Sequence, residues 1–434
     1  MSDLTPSIIA LAETIKANTE TVSNYLQKNS ISPLSLSPDA YPFFPGTGPP
    51  GIEPFPKPPP EILDARKQVR EACELLSQLV TGPVDHFFHF MCDHFHSAGL
   101  QFIYHFRIAE YVPDEGDISF KDLASKAGVD EGRCTRILRM QMTYNYFREP
   151  RKGYVAHTVG SKLFNHPTKR DGLGYIIEEG FPGSSKICEA FEKFPGSQER
   201  NETPWNVAHG TSLPIFEFFE TQPARMKRFF GSIKAFGEGE GFDLHHMIAG
   251  FHWKGIGQGL VVDVGGNHGH CSYAISQVAP DLRFIVQDLE KVIAEAKGRQ
   301  PEGKETEKIK FEVHDFFTPQ PIKSADVYLL RLICHDYSDK YAAKILKNLV
   351  SAMGPKSRLV LVDSVMPDPG TLSKIDERRL RILDAEMMLT YNAAERDLEG
   401  WKSLFNQADP RLELRSVVTP PGSSLSVLEI GLRE

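Results

Sequence analysis

The sequence predicts an α/β protein in which a mainly parallel sheet, covered by helices on both faces, follows a mainly helical region. Beyond Gly255, short apolar runs alternate with helical patterns, which is typical of parallel strands joined by crossover helices. Before that point, from Glu61 to about Phe236, apolar residues recur at helical spacing. We therefore expect a helical domain over residues 61–240 and a sheet domain over residues 241–434.

Length and charge narrow the class of partner. The chain has 434 residues, 41% hydrophobic and 24% charged, which is typical of a soluble globular protein with more than one core. Its formal net charge of -8 argues against a nucleic acid or an anionic membrane, because both attract basic surfaces. A small molecule is the expected partner.

The cysteines and the N-terminus predict a cytoplasmic protein. No CxxC pair occurs, so neither a disulfide framework nor a zinc site is expected. The N-terminus, MSDLTPSIIALAETI, carries an acidic residue where a signal peptide needs a basic one, and no apolar run approaches the length of a membrane span. The six cysteines are Cys73, Cys92, Cys134, Cys188, Cys271 and Cys334.

Residues 1–60 predict a helix followed by a proline-rich arm. Residues 5–27 have helical spacing, and the stretch SPLSLSPDAYPFFPGTGPPGIEPFPKPPP then carries too many prolines for a helix or a central strand. Its aromatic residues suggest that the arm packs on another surface, and a second subunit is one option. These residues are Tyr41, Phe43, Phe44 and Phe55.

One segment inside the helical region has the element order of a winged helix. A helix over Phe120–Ala127, a turn at Gly128, a second helix over Glu131–Thr143 and a hairpin around Gly153 are expected. Such a module binds DNA or forms dimers, and the acidic chain favours the structural role. The second helix offers a nucleic acid three arginines: Arg133, Arg136 and Arg139.

Seven strands are predicted in the sheet domain. Their sequences are LVVDVG, RFIVQD, IKFEVHD, DVYLLRL, RLVLVDSV, LRSVVTP and LSVLEIGL. The last two are joined by PPGSS, which is too short for a crossover helix. The sheet should therefore end in an antiparallel hairpin.

The loop after the first strand indicates a ligand site. The stretch VVDVGGNHGH runs into Gly265 and Gly266, yet it matches neither a dinucleotide fingerprint nor a phosphate-binding loop, so a polyphosphate is not expected. Asp288 follows the second strand and Asp315 the third, where carboxylates can accept ribose hydroxyls and an adenine amine. Each aspartate could instead cap a helix. Together the four residues describe an adenosine without phosphates.

From about residue 70 to the C-terminus the chain resembles the S-adenosylmethionine-dependent O-methyltransferases of the plant caffeate and fungal polyketide type. It is most similar to the fungal enzymes that methylate aromatic polyketides. The resemblance implies a Rossmann-like class I methyltransferase domain, a winged-helix dimerisation domain, a homodimer and a metal-free site. It rests on VVDVGGNHGH, RFIVQDLEKVI, HDFF, ADVYLLRLICHDYSD, VDSVMPD and ERDLEGWKSLF.

His335 is the candidate general base. A lone histidine is usually structural, but His335 ends the fourth strand, adjoins Asp336 and matches the family's base. Asp363 and Glu395 match the carboxylates that orient the base and stabilise its imidazolium form. The family usually has glutamate at position 363 and NGKER where this chain has NAAER. The alternative for Glu395 is an exposed charge near a helix start.

The resemblance also implies contacts to the cofactor and to the acceptor. Arg331 corresponds to a basic position near the cofactor's carboxylate, although a strand arginine can also pair with a surface carboxylate. Apolar and sulfur-bearing walls suit a flat aromatic acceptor. The cofactor set is Asp263, Gly265, Gly266, Asp288, Leu289, Asp315, Phe316 and Arg331. The acceptor set is Trp205, Phe216, Asp336, Met387 and Met388.

A histidine-rich helix offers a competing metal site. Imidazoles at helical spacing can bind zinc, but the intervening phenylalanines are typical of a helix in a dimer core, which we favour. The possible ligands are His86, His89, Cys92, His94 and His96, and the phenylalanines are Phe87, Phe88, Phe90 and Phe95.

The predicted function is methylation of a phenolic hydroxyl by S-adenosylmethionine. One alternative is a pericyclase or dehydratase that uses the bound sulfonium only as a positive charge. His335 and Glu395 argue against it, and the loss of the glutamate at position 363 leaves it open. A second alternative is a non-catalytic module that senses the cofactor, which the intact base disfavours.

Overall fold

The computed structural model describes residues 5–48, 53–166, 169–237, 240–298 and 308–433, and the chain forms two compact units. Residues 182–222, which we expected in the helical domain, belong to the unit that contains the sheet. The first unit consists of the described residues of Met1–Phe181, Pro223–Glu238 and Ser373–Ile375. The second consists of those of Pro182–Gln222, Gly239–Leu372 and Asp376–Glu434.

The first half of the chain is helical, as its apolar spacing predicts. A π-helical segment over Ile176–Gly180 follows the ninth helix. In chain order the helices are α1 (Ile8–Lys28), α2 (Pro60–Thr81), α3 (Pro83–Met91), α4 (His94–His105), α5 (Ile108–Tyr111), α6 (Phe120–Ala127), α7 (Glu131–Met142), α8 (Val159–Lys162), α9 (Lys169–Tyr175), α10 (Phe181–Ser184), α11 (Ile187–Lys193), α12 (Pro204–His209), α13 (Ile215–Glu220) and α14 (Pro223–Gly237).

The proline-rich arm folds back on its own unit. The Tyr41 ring lies 5.4 Å from that of Phe55, edge to face, and the Tyr41 hydroxyl donates to Glu53 at 2.7 Å. The Arg66 guanidinium of α2 lies 4.7 Å from the Phe44 ring centre. The arm's aromatic residues therefore pack within the chain that carries them.

The two predicted helices and the turn between them are present in the first unit, and an antiparallel bridge joins Arg148 and Ala156 across Gly153. Two short strands, β1 (Ile118–Ser119) and β2 (Tyr154–Val155), pair antiparallel. Ser119 caps α6, whose end at Gly128 has a φ of 68°, a left-handed conformation that glycine adopts without steric cost. Assignment of these elements to a winged-helix dimerisation domain stays a prediction.

The second unit contains all seven predicted strands in one sheet. They are β3 (Leu260–Val264), β4 (Arg283–Asp288), β5 (Ile309–Val313), β6 (Val327–Arg331), β7 (Arg358–Asp363), β8 (Leu412–Val418) and β9 (Ser426–Leu432). The remaining helices are α15 (Leu244–Ala249), α16 (His270–Val278), α17 (Glu290–Gly298), α18 (Asp339–Val350), α19 (Lys374–Tyr391) and α20 (Leu398–Ala408).

The strand order is β5-β4-β3-β6-β7-β9-β8. Strands β3 to β7 are parallel, and β9 pairs antiparallel with both β7 and β8, which confirms the predicted α/β class and its terminal hairpin. Since β4 and β6 flank β3, the order reverses at β3. The carboxyl end of β3 is thus the point where ligands bind in open α/β sheets.

Both faces of the sheet are buried. Val262 and Leu361 face one apolar cluster, whereas their neighbours Val261 and Val360 face another. This burial makes the carboxyl edge a rigid base for the loops that leave it. Among the described residues, no helix combines the length and apolar character needed to cross a bilayer.

Candidate active site

The turn after β6 places His335 at the carboxyl edge of the sheet. Leu332 has a φ of 54°, which is unfavourable for a branched side chain, and the chain then enters a 3-10 turn over Cys334–Asp336. His335 is buried within this turn, with 11% of its side chain exposed. The turn therefore holds the imidazole inside the unit, where little of it contacts solvent.

Glu395 holds the imidazole of His335. The distance from His335 Nδ1 to Glu395 Oε1 is 2.8 Å, and the Glu395 side chain has no exposed surface. Because a carboxylate only accepts, Nδ1 carries the hydrogen, and Nε2 is the nitrogen that can take a proton from a substrate. Asp336 Oδ1 lies 3.5 Å from Nε2. Sequence analysis selected all three residues, and the structure brings them together.

The surrounding carboxylates control protonation in this cluster. Burial alone would lower the pKa of His335, but Asp336, Glu395 and Asp363 outweigh it and raise that pKa to about 10. Burial and the negative neighbours also raise the pKa of Asp363 to about 7. The pKa of Asp336 is raised as well, mainly by burial. The cluster thus favours a charged imidazole and retains protons at neutral pH.

Asp363 ends β7 within this cluster, but it forms no hydrogen bond with the base. Its side chain is fully buried, and neither carboxylate oxygen has a hydrogen-bond partner among the described residues. Of the two carboxylates expected to hold His335, only that of Glu395 accepts a hydrogen bond from it. The side chain of aspartate is one methylene shorter than that of the family's glutamate, which accounts for the missing contact.

The loop after β3 passes so close to its neighbours that two of its positions favour glycine. Gly265 has a φ of 69°, and a Cβ atom there would lie 2.7 Å from Ile333 Cδ1. A Cβ atom at Gly266 would lie 2.6 Å from Asp263 Cγ. Both distances are shorter than real Cβ contacts, so a larger residue would displace either the loop or the side chains of Ile333 and Asp263.

Asp263 supports this loop from below. It is buried and accepts a hydrogen bond from the Ser272 hydroxyl at 2.7 Å. Burial raises its pKa to about 6, partly offset by the bonds from Ser272. Asp263 therefore links β3 to α16 and stands behind the loop.

Two predicted residues at the end of β4 fit an adenosine. The Asp288 carboxylate accepts from the backbone N–H of Asn267 at 2.9 Å and of Leu289 at 2.8 Å, which fixes its orientation. Leu289 beside it is 55% exposed, an apolar surface that a purine ring can cover. A fixed carboxylate next to an apolar ledge suits a ribose and its base.

The other predicted cofactor residues make local contacts. Asp315 Oδ1 accepts from the Phe317 N–H at 2.9 Å, so it caps its own turn, and Phe316 is half-buried there. The Arg331 guanidinium donates to the Phe242 carbonyl at 2.6 Å. Arg331 is thus tied to the segment before α15, and no ion pair joins it to a carboxylate among the described residues.

The predicted acceptor residues differ in exposure. Trp205 is fully buried, with its ring 5.4 Å from that of Phe218, whereas Phe216 is half-buried and stacks on Tyr391 at 5.6 Å. Met387 is buried and Met388 half-buried in the last turn of α19. Trp205 therefore supports the neighbouring aromatic residues from behind.

Sequence analysis missed Arg396. It follows Glu395, has 4% of its side chain exposed and donates to backbone carbonyls on both sides of His335. A charged residue next to the predicted carboxylate in AAERDLEGW was an available signal. Nothing in the sequence indicated the positive φ of Leu332.

The histidine-rich segment makes separate, local contacts. His94 Nδ1 contacts the Met91 carbonyl at 2.9 Å, and the His96 ring stacks on Tyr144 at 4.0 Å. Within the described ranges, no group of three or more His, Cys, Asp or Glu side chains is arranged to hold a metal ion.

Comparison with known proteins identifies the family. Residues 195–409 match the O-methyltransferase domain. The chain is 37% identical to O-methyltransferase bik3 of Gibberella fujikuroi over 426 residues, which cover 97% of this chain and 92% of that protein. Its fold is similar to that of OxaC, solved with SAH and oxaline. The TM-score is 0.72 at 22% identity, and the match covers 98% of this chain and 100% of OxaC. It is also similar to a solved structure described as "A Pericyclic Reaction enzyme". The TM-score is 0.69 at 22% identity, and the match covers 97% of this chain and 100% of that protein. The chain belongs to the O-methyltransferase family.

Proposed function

We propose that the chain transfers a methyl group from S-adenosylmethionine to a phenolic hydroxyl of an aromatic, polyketide-like secondary metabolite, with His335 as general base. The observation that carries this proposal is the 2.8 Å contact between His335 Nδ1 and Glu395 at the carboxyl edge of a methyltransferase-type sheet. That contact leaves Nε2 as the proton acceptor. The bik3 relative, an O-methyltransferase, supports the same reaction class.

The chemistry needs a base and alignment. The methyl donor supplies an electrophilic methyl group on a positively charged sulfonium, which favours proton loss from nearby acids. The carboxylates hold the pKa of His335 at about 10, so the imidazole acts as a base in the fraction of molecules in which it is neutral, and that fraction grows as the pH rises. This neutral imidazole would take the phenol proton at Nε2 while the phenol oxygen bonds to the methyl carbon and the carbon–sulfur bond breaks, with the thioether as leaving group. Glu395 and Asp336 stabilise the imidazolium that results.

The residues around β3 and β4 would hold the donor. Gly265 and Gly266 would let the loop backbone approach it closely, Asp288 would accept the ribose hydroxyls, and Leu289 would cover the purine. Asp315 and Phe316 would meet the adenine and Arg331 the carboxylate. Asp263 would act through the loop that it supports.

The acceptor would lie against apolar and sulfur-bearing side chains of the sheet unit. Phe216 and Met388 keep exposed surface, whereas Met387 and Trp205 would shape this wall from behind. Asp336, 3.5 Å from the imidazole, would face the reacting hydroxyl. An aromatic ring suits such a surface.

A homodimer formed through the first unit belongs to the same proposal. Helix α3 has no buried residue, and Phe87, Phe88 and Phe90 are 61%, 59% and 70% exposed. An apolar surface of this kind is typical of a protein interface, and a second copy of the chain is the occupant that we propose. A winged-helix role for α6 and α7 and a cytoplasmic location stay predictions.

Mass spectrometry with methyl-labelled S-adenosylmethionine tests the reaction. The acceptors are anthraquinones, xanthones and small phenols, and the wild type is compared with His335→Ala and with His252→Ala, an exposed histidine as control. We expect label in product from the wild type and the control, and a loss of about 100-fold or more in His335→Ala. An isomerised product without label would overturn the proposal in favour of a pericyclase. S-adenosylhomocysteine binding without turnover on any acceptor would contradict it as well.

A further inference from the structure

The buried arginine beside Glu395 holds the turn that carries the base. Arg396 Nη1 donates to the Cys334 carbonyl at 2.9 Å, and Nη2 donates to the Tyr337 carbonyl at 2.7 Å. These carbonyls flank His335 and Asp336 in the chain. Arg396 Nε donates to Asp339 Oδ1 at 2.8 Å, so three of its nitrogens are engaged within one loop.

This turn has little support of its own. It follows Leu332, whose φ of 54° is strained, and its internal bonds are the long ones from Asp336 N to Ile333 O at 3.2 Å and from Tyr337 N to Cys334 O at 3.4 Å. Two charge-assisted bonds from a planar guanidinium are stronger than these. Arg396 is therefore a main support of the turn, together with the bond from Leu332 N to the Val362 carbonyl at 3.0 Å where the turn begins.

Arg396 is itself fixed from the other side. Its backbone carbonyl accepts from the Met366 N–H at 2.8 Å, just beyond β7. Its guanidinium lies 5.4 Å from the ring centre of Trp401, whose Nε1 donates to the Ser364 carbonyl at 3.0 Å. Asp397, the next residue, caps α20. Arg396 thus connects the ends of β6 and β7.

We propose that Arg396 is a positioning residue for methyl transfer. It fixes the backbone of the turn that carries His335, while its neighbour Glu395 fixes the orientation of the imidazole ring. Adjacent residues with these two tasks keep Nδ1 in register with the carboxylate. This inference rests on the proposed function, because the alignment of His335 Nδ1 with Glu395 matters for turnover when His335 is the base.

The kinetic test uses Arg396→Lys, which keeps the charge but replaces the planar fork with a single ammonium. We expect kcat to fall about 10- to 100-fold, because a displacement of roughly 1 Å at a reacting group has that effect, while KM for the donor stays within about twofold. Asp339→Asn removes the outer ion pair and leaves both carbonyl bonds, so kcat should change by less than about threefold. Arg411→Lys, at an exposed pair with Asp409, is the matched control.

A second measurement needs no turnover. In protein labelled with ¹³C at histidine Cε1, the His335 signal is assigned from its loss in His335→Gln and titrated by NMR. In Arg396→Lys we expect the midpoint to move to lower pH, because the bond to Glu395 loosens while the arginine's charge is retained. Arg411→Lys should titrate like the wild type.

The outcomes separate this inference from the proposed function. Absence of label transfer by the wild type refutes the function, and the titration still decides the role of Arg396. An unchanged midpoint overturns the inference, whether kcat falls or not. A lower melting temperature with unchanged kcat and midpoint shows a merely structural role and also overturns it.

Discussion

Replacing Asp363 with asparagine should stabilise the protein, and more so as the pH rises. Asp363 is fully buried without a hydrogen-bond partner among the described residues, and its pKa is raised to about 7 from 3.8. Between those two values the unfolded chain releases this proton while the folded chain keeps it, so stability falls as the pH rises. Above about pH 7 the folded state carries the full cost of the ionised carboxylate.

The size of the effect follows from the two pKa values. The difference between about 7 and 3.8 corresponds to roughly 4 kcal/mol at alkaline pH. For a unit of this size, 1 kcal/mol shifts the melting temperature by roughly 2–4 °C, so Asp363→Asn should melt on the order of 10 °C higher at pH 9. At pH 4 both side chains are neutral and similar in shape, so the shift should be close to zero.

Differential scanning fluorimetry across pH 4–9 measures this dependence. Asp281→Asn, at an exposed position in the same unit, is the control, and its shift should not vary with pH. A lower melting temperature for Asp363→Asn at pH 9, or a shift of equal size at every pH, would refute the reasoning. The first result would mean that a favourable contact holds Asp363 ionised in the folded state, and the second would mean that folding does not raise its pKa.

Three further changes test the site and the interface. Glu395→Gln removes the charge that holds His335 Nδ1, so the acidic limb of kcat against pH should move to lower pH by about one unit or more, while the exposed Glu399→Gln should leave it in place. Gly266→Ala places a Cβ atom 2.6 Å from Asp263 Cγ, and calorimetry should show S-adenosylhomocysteine binding at least about tenfold weaker. Phe87→Glu combined with Phe90→Glu should convert the dimer to a monomer in light scattering, with donor binding retained.

Each of these changes has a contrary outcome. A limb that stays in place in Glu395→Gln would mean that Glu395 does not set the protonation of the base. Full affinity in Gly266→Ala would mean that the loop holds no ligand. A wild type that is monomeric at high concentration, or a double variant that remains dimeric, would remove α3 from the interface.

The strands could be predicted because buried parallel strands read as continuous apolar runs. Each of the seven runs beyond Gly255 forms a strand, and PPGSS is too short for anything but a hairpin. The course of residues 182–222 could not be predicted. Their helical spacing is satisfied equally by packing on other helices or on the sheet unit, and only tertiary contacts decide between these.

Site residues at strand ends could be predicted from the sequence. Contacts between their side chains could not, because these depend on distances in the folded chain. Asp288 ends β4, so the sheet itself places it. His335 follows β6 closely enough for the sheet to bring it to the same edge, although the turn that carries it is held by Arg396. Asp363 also ends a strand, but whether its carboxylate reaches the imidazole depends on one methylene and so on distances that a sequence does not contain.

Glu395 and Arg396 show the other limit of sequence reasoning. They lie on a loop about sixty residues beyond the base in the chain, so spacing cannot relate them to it. Glu395 could be predicted because it matches a motif whose chemistry is known. Arg396 could not, because its partners are backbone carbonyls, which carry no sequence signal. Residues that act by holding the backbone therefore become visible only when hydrogen bonds are counted in three dimensions.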